Sequence, residues 1–413
     1  RHTHHISHAG TPNHFPNTYL DVSDSVVEGT MALIEARVGG RLDLHGTVID
    51  GTGAHGYSIV ADGLEAGAYV DLGTIRSAGA VHLIGARICG PLNLTSACVN
   101  GVDSDGQSLI VERLQAASSM ALGEFSSAGA VVLSGAHVTG QLNLRDASIG
   151  GADPSGTGVT ADDLRVDGSL FLDGGVTVAG LVRLDGATLG NLIVGENEAR
   201  LPHLGKVTGW RLGDLQGVVR TDRKAAARWL ESQRAAQPWQ ELAALYERNG
   251  QPADARWIRY RSAVRSTRST RGLSWFFRQL YRVTTGHGYY PMAALVWLVA
   301  IFGLAWGLAE ARQDEFTTGT TATIQADLET RAEPPFPGRV PAAWCRDSWD
   351  VSCPQPVSYA LATAFPAAAS SQSWTPPDEP WLVGAAFHVL RLAAWVFTAL
   401  LLAGVTGLLR KQT

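Results

Sequence analysis

The sequence predicts a mainly β fold: a parallel β-solenoid, followed by a short α-helical collar and a two-helix transmembrane hairpin. Three observations predict it. Residues 26–200 repeat at a fixed offset, the stretch after them has the spacing of a helix hairpin, and two segments near the C-terminus are apolar and almost free of charge.

The repeat is visible in "AGAVHLIGARICGPLNLTSACVNG" (78–101) and "AGAVVLSGAHVTGQLNLRDASIGG" (128–151), which align at an offset of 50. "LEAGAYVDL" (64–72), "LQAASSMAL" (114–122) and "LRVDGSLFL" (164–172) align in the same way, and "ALIEARVGGRLDLHGTVIDG" (32–51) is an earlier partial unit. A shorter period lies inside, since Leu83 and Leu94, Ala86 and Ala97, and Ile88 and Val99 are each eleven apart. Apolar and polar residues alternate over short runs punctuated by glycine. Period-two strands with glycine corners, recurring at a fixed interval, describe coils that bury their inner faces only by stacking. Val70, Met120 and Leu170 are expected in one interior column, and Leu72, Leu122 and Leu172 in another.

Within this repeat "GTGAHG" (51–56) matches the glycine pattern of a dinucleotide-binding turn. That chemistry needs a strand before the turn and a helix opening on its last glycine. The stretches in register, "GVDSDG" (101–106) and "GADPSG" (151–156), mark the same place as a variable solenoid loop. Asp103 and Asp105 read as a solvated turn rather than a calcium loop. The sequence thus predicts no cofactor, and no catalytic or metal-ligating residues are assigned.

The strand pattern ends near Leu215. "TDRKAAARWLESQRAA" (221–236) is helical in composition, with Thr221 as its expected N-cap. Trp239, Leu242, Ala243, Tyr246, Gly250 and Ala255 then follow the spacing of a single tetratricopeptide unit, a hairpin whose first helix ends at Gly250. One such unit makes no peptide groove, so its expected role is to cap the open end of the solenoid and couple it to the membrane.

Pro291–Ala309 carries no charge over 19 residues, and the last 18 residues of Leu382–Leu409 carry none. Both are long enough to cross about 30 Å of hydrocarbon. Between Ala255 and Ala309 lie eight arginines and no acid: Arg256, Arg259, Arg261, Arg265, Arg268, Arg271, Arg278 and Arg282. Arg410 and Lys411 follow the second segment, and the loop between the segments holds ten acids and four arginines. The positive-inside rule then places both termini in the cytoplasm of a two-pass plasma-membrane protein. The arginines, interleaved with Trp275, Phe276, Phe277 and Tyr281, are expected on anionic lipid headgroups rather than on nucleic acid. Cys345 and Cys353 fall in the outer loop, where a disulfide persists. Cys89 and Cys98 fall in the cytoplasmic part, where a buried thiol acts as a small hydrophobe.

Three further features lie in the second half. Gly303 and Gly307 in the first segment, and Ala399, Ala403 and Gly407 in the second, are small residues four apart, the spacing of helix–helix contacts. The two seams fall at different depths of the bilayer, which predicts a homo-oligomer. His388 and Arg391 are polar groups inside the second segment, either lining a pore or snorkelling to the outer headgroups. The boundaries that follow are a polar tail at 1–25, rich in histidine (His2, His4, His5, His8), a solenoid at 26–219, a collar at 220–286, transmembrane helices at 287–310 and 381–409 around a loop at 311–380, and a tail at 410–413.

This layout resembles a group of actinobacterial membrane proteins related to pentapeptide-repeat proteins with a channel-like C-terminus. The resemblance rests on "PWQELAALYERNGQPADAR", "GHGYYPMAALVWL", "YALATAFPAAASSQSWTP" and "LLLAGVTGLLRK". It implies the fold and topology given above. The oxidoreductase activity credited to such sequences has no cofactor motif behind it here. The expected function is a membrane-anchored scaffold that presents its solenoid to a cytoplasmic protein partner. The alternatives are a non-selective channel built by the two C-terminal helices, whose intervening segment "SYALATAFPAAASS" lacks a potassium filter, and an enzyme on the solenoid face.

Overall fold

The computed structural model describes residues 19–268, 275, 279, 283–284, 292–318, 354–365, 374–376 and 381–405. It divides into two compact units, 1–262 and 263–413.

The first unit is built from parallel strands, most of two to four residues and the last ones longer, stacked coil on coil. Each coil has four sides. Two sides form seven-stranded sheets. The other two merge into one 14-stranded sheet because Arg165–Leu172 runs through both. The registers explain the offset of 50. Leu20, Leu42, Val70, Leu92, Met120, Leu142, Leu170 and Leu192 pair in succession, so coils of 22 and 28 residues alternate as far as Leu192, and 22 + 28 = 50; the last step, Leu192 to Leu215, is a second short coil of 23. The interior columns expected from the sequence form, with Leu92 and Leu142 set between Val70, Met120 and Leu170. The eleven-residue period is half a short coil, two of its four sides.

The interior is apolar from end to end: Leu44, Leu72, Leu94, Leu122 and Leu144 line one column and are all buried. Each coil also satisfies its neighbour's backbone, as in Leu72 N to Asn93 O at 2.7 Å and Leu94 N to Ala121 O at 2.7 Å. Two corners run down the stack in left-handed conformation. One passes through Asp24, Gly46, Thr74, Ser96, Glu124, Asp146 and Gly174, the other through Glu35, Gly63, Gly85, Arg113, Gly135 and Asp163. A third corner needs glycine for closeness instead. A Cβ on Gly67 would lie 2.2 Å from the Gly39 carbonyl oxygen.

The six residues by which long coils exceed short ones are the loops 51–56, 101–106 and 151–156. "GTGAHG" runs straight into the strand Tyr57–Val60 with no helix, which removes the dinucleotide reading. The loops lie in line along one edge, where a Cβ on Gly56 would meet Val102 O at 2.5 Å. Asp103 Oδ1 accepts the backbone N–H groups of Asp105 and Gln107, and Asp153 Oδ1 accepts those of Ser155 and Thr157. Both loops are thus turns, as the sequence suggests, but only Asp105 is solvated: the Asp103 side chain is 4% exposed. Cys98 is half-buried, but Cys89 is exposed. It lies in the bend just after the strand Arg87–Ile88, so it does not serve as a buried hydrophobe.

Helices close one end: α1 (Val218–Thr221), α2 (Arg223–Trp229), α3 (Gln237–Arg248) and α4 (Pro252–Arg268). The expected N-cap moves from Thr221 to Asp222, whose extended backbone lets its carboxylate accept Lys224 N–H at 2.7 Å. Trp239, Leu242, Ala243, Tyr246 and Ala255 are fully buried against the solenoid core, and Gly250 turns the chain between α3 and α4 with φ of 75°. The last strand, Arg211–Gln216, has no further coil to pair with. Side chains from α3 take that place. Gln237 bonds Gly209 N at 2.8 Å and Trp210 O at 2.9 Å, Glu241 accepts Leu212 N at 3.2 Å, and Arg248 donates to Leu212 O at 2.7 Å. An open sheet edge invites pairing with other chains, and this one is closed by side chains.

The second unit centres on α5 (Ala293–Ala311), α6 (Pro356–Ala364) and α7 (Trp381–Val405).

Candidate functional site

The spacing of buried residues on α5 sets how the second unit packs. Ala294, Leu298, Ile301, Ala305 and Ala309 recur every three or four residues and face α6 and α7. Phe316, Tyr359 and Phe387 close the contact edge to face, with centroids 4.9–6.0 Å apart. The rest of both long helices is bare. Val296 is 70% exposed, Leu304 64% and Leu392 68%, and in the most apolar stretch of each helix only 28% and 11% of the residues are buried. The core helix of a water-soluble protein is covered on every apolar face, whereas these helices display an apolar surface of the kind that lipid covers. Both are long and apolar enough to cross a membrane. At 1.5 Å per residue, α5 spans about 28 Å and α7 about 37 Å.

The seam on α5 points outward. A Cβ on Gly303 or on Gly307 would meet nothing within 4 Å, and Ala399 is exposed. Ala403 is half-buried, and Gly407 lies outside the described residues. His388 is exposed, while Arg391, three residues on, is half-buried and acts electrostatically on the Tyr359 hydroxyl. Cys345 and Cys353 lie outside the described residues, as do Arg271, Arg278 and Arg282. Of the arginines assigned to lipid, Arg256 is exposed, Arg259 pairs with Glu247 at 2.5 Å, and Arg261 lies over the Trp257 ring at 5.9 Å. Arg265 is half-buried, and Arg268 closes α4.

No protein-family model, no curated protein and no solved structure matches the chain.

A second cluster escapes the sequence reading. It lies on the outer face of the sheet that contains Ala80–His82, beneath the loop 101–106. Ala80, Ile110 and Val132 point away from the solenoid core but are buried, forming a satellite cluster with Tyr57 and Ile84. His82 sits among them with its side chain 10% exposed. Its ring lies against that of Tyr57, tilted by 44° with centroids 4.0 Å apart. Nδ1 is 4.0 Å from Asp62 Oδ2, and Nε2, 3.9 Å from Asp103 Oδ2, has no hydrogen-bond partner. Burial holds the imidazole below its usual pKa, outweighing the carboxylates of Asp62, Asp103 and Glu112, which raise it. The sequence does contain a signal for this cluster. At the offset of 50, His82 aligns with Val132, a titratable group opposite an apolar one inside nearly identical segments.

Proposed function

We propose that the chain is a membrane-anchored β-solenoid scaffold, homo-oligomeric in the plasma membrane, with both termini in the cytoplasm. The exposed apolar surface of α5 and α7 carries this reading, because it asks for lipid and for neighbouring helices at once. Charge supports the orientation. Between 19 and 217 there are 23 acids and 11 bases, a net of 11 − 23 = −12; between 218 and 292 there are 14 bases and 5 acids, a net of 14 − 5 = +9. An anionic leaflet attracts the second stretch at about 1 kcal/mol per arginine near its surface, and repels the first. The collar serves as one tetratricopeptide-like hairpin that seals the rod. The resemblance to two-helix proteins with a pentapeptide-related solenoid agrees with this assignment.

One observation favours a second reading, a channel. The short helix α6 packs against both long helices, as a re-entrant segment does beside a pore. The mass of the full chain in mild detergent tests both readings. A discrete oligomer is expected. A monomer refutes the oligomeric scaffold and the channel together, since two helices per chain enclose no pore.

A further inference from the structure

The repeat of this chain supplies its own comparison for His82. Three residues occupy the outward column of that sheet at successive short coils: His82, Val132 and Arg183. Val132 is 4% exposed and packs without a polar group, so the fold itself does not require a histidine at this place. Arg183, a permanent cation, bonds Asp162 of the preceding coil at 2.5 Å. His82 stands in the same relation to Asp62, but its ring is beyond hydrogen-bond distance of both carboxylates. The column therefore contains an apolar plug, a fixed ion pair and, at His82, a residue able to change from one to the other.

We propose that His82 is a proton-operated clasp for the loop 101–106: the neutral ring lets the loop lie closed over the outer face of the sheet, and protonation releases it. The groups that face the ring are Asp62 from the preceding coil, Asp103 from the loop, Glu112 from the following coil, and Tyr57, which has His55 beside it and Asp105 acting on its hydroxyl. A proton taken up from solution places a charge on a ring that rests on Tyr57 and beside Ile110. Asp62 and Asp103 lie at 4.0 and 3.9 Å and offset part of the cost of burying that charge, but neither is within hydrogen-bond distance, and burial outweighs them. Water enters most easily where the cover is thinnest. The loop tip, Ser104 and Asp105, is exposed, whereas the feet are tied down by Ser108 Oγ to Gly101 O at 2.7 Å and by Ala130 N to Gly106 O at 2.9 Å. Lifting the tip opens the ring to water.

Hydrogen exchange on the full chain in detergent, at about pH 7.5 and about pH 5.5 and corrected for the intrinsic rate, tests this. The reporters are the bonded amides of Asp103, Asp105, Gly106 and Gln107. Their counterparts at Asp153, Ser155, Gly156 and Thr157 have the same bonds and serve as the control. Exchange in the first loop is expected to rise up to about tenfold in acid, the linkage of one pH unit, and exchange in the second to stay level. His82→Val, which repeats the residue found at Val132, abolishes the rise. His82→Gln gives the same reading should valine disturb packing. Three results overturn the proposal: no rise in the wild type, an equal rise in both loops or in the variants, or greater protection in acid, which would mean that the carboxylates close on the charged ring instead.

Discussion

Leu122 lies in the middle of the stack and is fully buried, with Leu94 and Leu144 as its neighbours in the column and Phe125 buried nearby. Replacing it with alanine removes three carbons from a site that cannot collapse. The coils above and below are held at the usual strand spacing of about 4.8 Å by backbone bonds, among them Leu122 N to Asn143 O at 2.7 Å. Where relaxation is blocked, a leucine-to-alanine change costs toward the upper part of about 2.7–5 kcal/mol. Leu122→Asp adds a buried, unpaired charge at several kcal/mol more. Against a total of about 5–15 kcal/mol for a typical domain, the first variant melts early and the second fails to form the central coils. Urea unfolding of the full chain in detergent, followed by far-ultraviolet circular dichroism, measures both. His55→Ala, on an exposed loop, is the control and stays within about 0.5 kcal/mol. A Leu122→Ala loss below about 1 kcal/mol, or one equal to the control, refutes the argument that rigid stacking prevents collapse.

Gly67→Ala is expected to cost several times more than Gly85→Ala. The first places a Cβ against the Gly39 carbonyl, while the second meets nothing and takes a left-handed corner that Glu35, Arg113 and Asp163 already tolerate at about 1 kcal/mol; thermal melts of the two variants give the ranking. Burial raises the Asp153 carboxyl, but hydrogen bonds from Ser155 and Thr157 outweigh it and hold the group below its usual range. Its contribution is therefore complete above the unfolded value of about 3.9 and is lost as pH falls through the lower folded value. Exchange in the loop 151–156 should accordingly stay slow down to about pH 4 and rise below it, whereas Asp153→Ala speeds it at every pH. Gly303→Cys, on a face that meets nothing among the described residues, is expected to cross-link to a second copy in native membranes; no covalent dimer there or from Ala403→Cys removes the helix seam as a subunit contact. Arg391→Leu is expected to leave ion flux through reconstituted protein unchanged if the arginine only snorkels, and a changed conductance would assign it to a pore.

The repeat at 50 is legible because both of its coils recur together, but its division into 22 and 28 is not. Strands of two residues leave little alternation to count, and Leu, Val, Ile and Met exchange freely at interior positions such as Val70, Leu92 and Met120. The glycine loop at 51–56 is read correctly as a turn because two similar loops lie in register with it. The collar's apolar positions are legible from Trp239 and Tyr246. Its polar ones are not, since Gln237, Glu241 and Arg248 look like ordinary surface residues until the last strand is seen to lack a partner. His82 stays hidden for a related reason. A single histidine in an apolar run reads as core, and only the fold shows that its side chain faces outward under a loop.

The alternation of coil lengths restricts how such a rod can change over generations. Between Leu20 and Leu192, loss or gain of one coil would set two long or two short coils next to each other, an arrangement found only in the closing pair at 170–215, and break the line of loops. Copying 50 residues at a time avoids this. It would extend the rod by two coils, about 9.6 Å at 4.8 Å per strand, with every column and the edge line intact. The collar makes that growth one-sided, because Gln237, Glu241 and Arg248 fit the final strand alone. New material enters among the earlier coils, and the seal moves outward unchanged, so the distance from the collar to the far end becomes the quantity that selection can adjust in fixed steps.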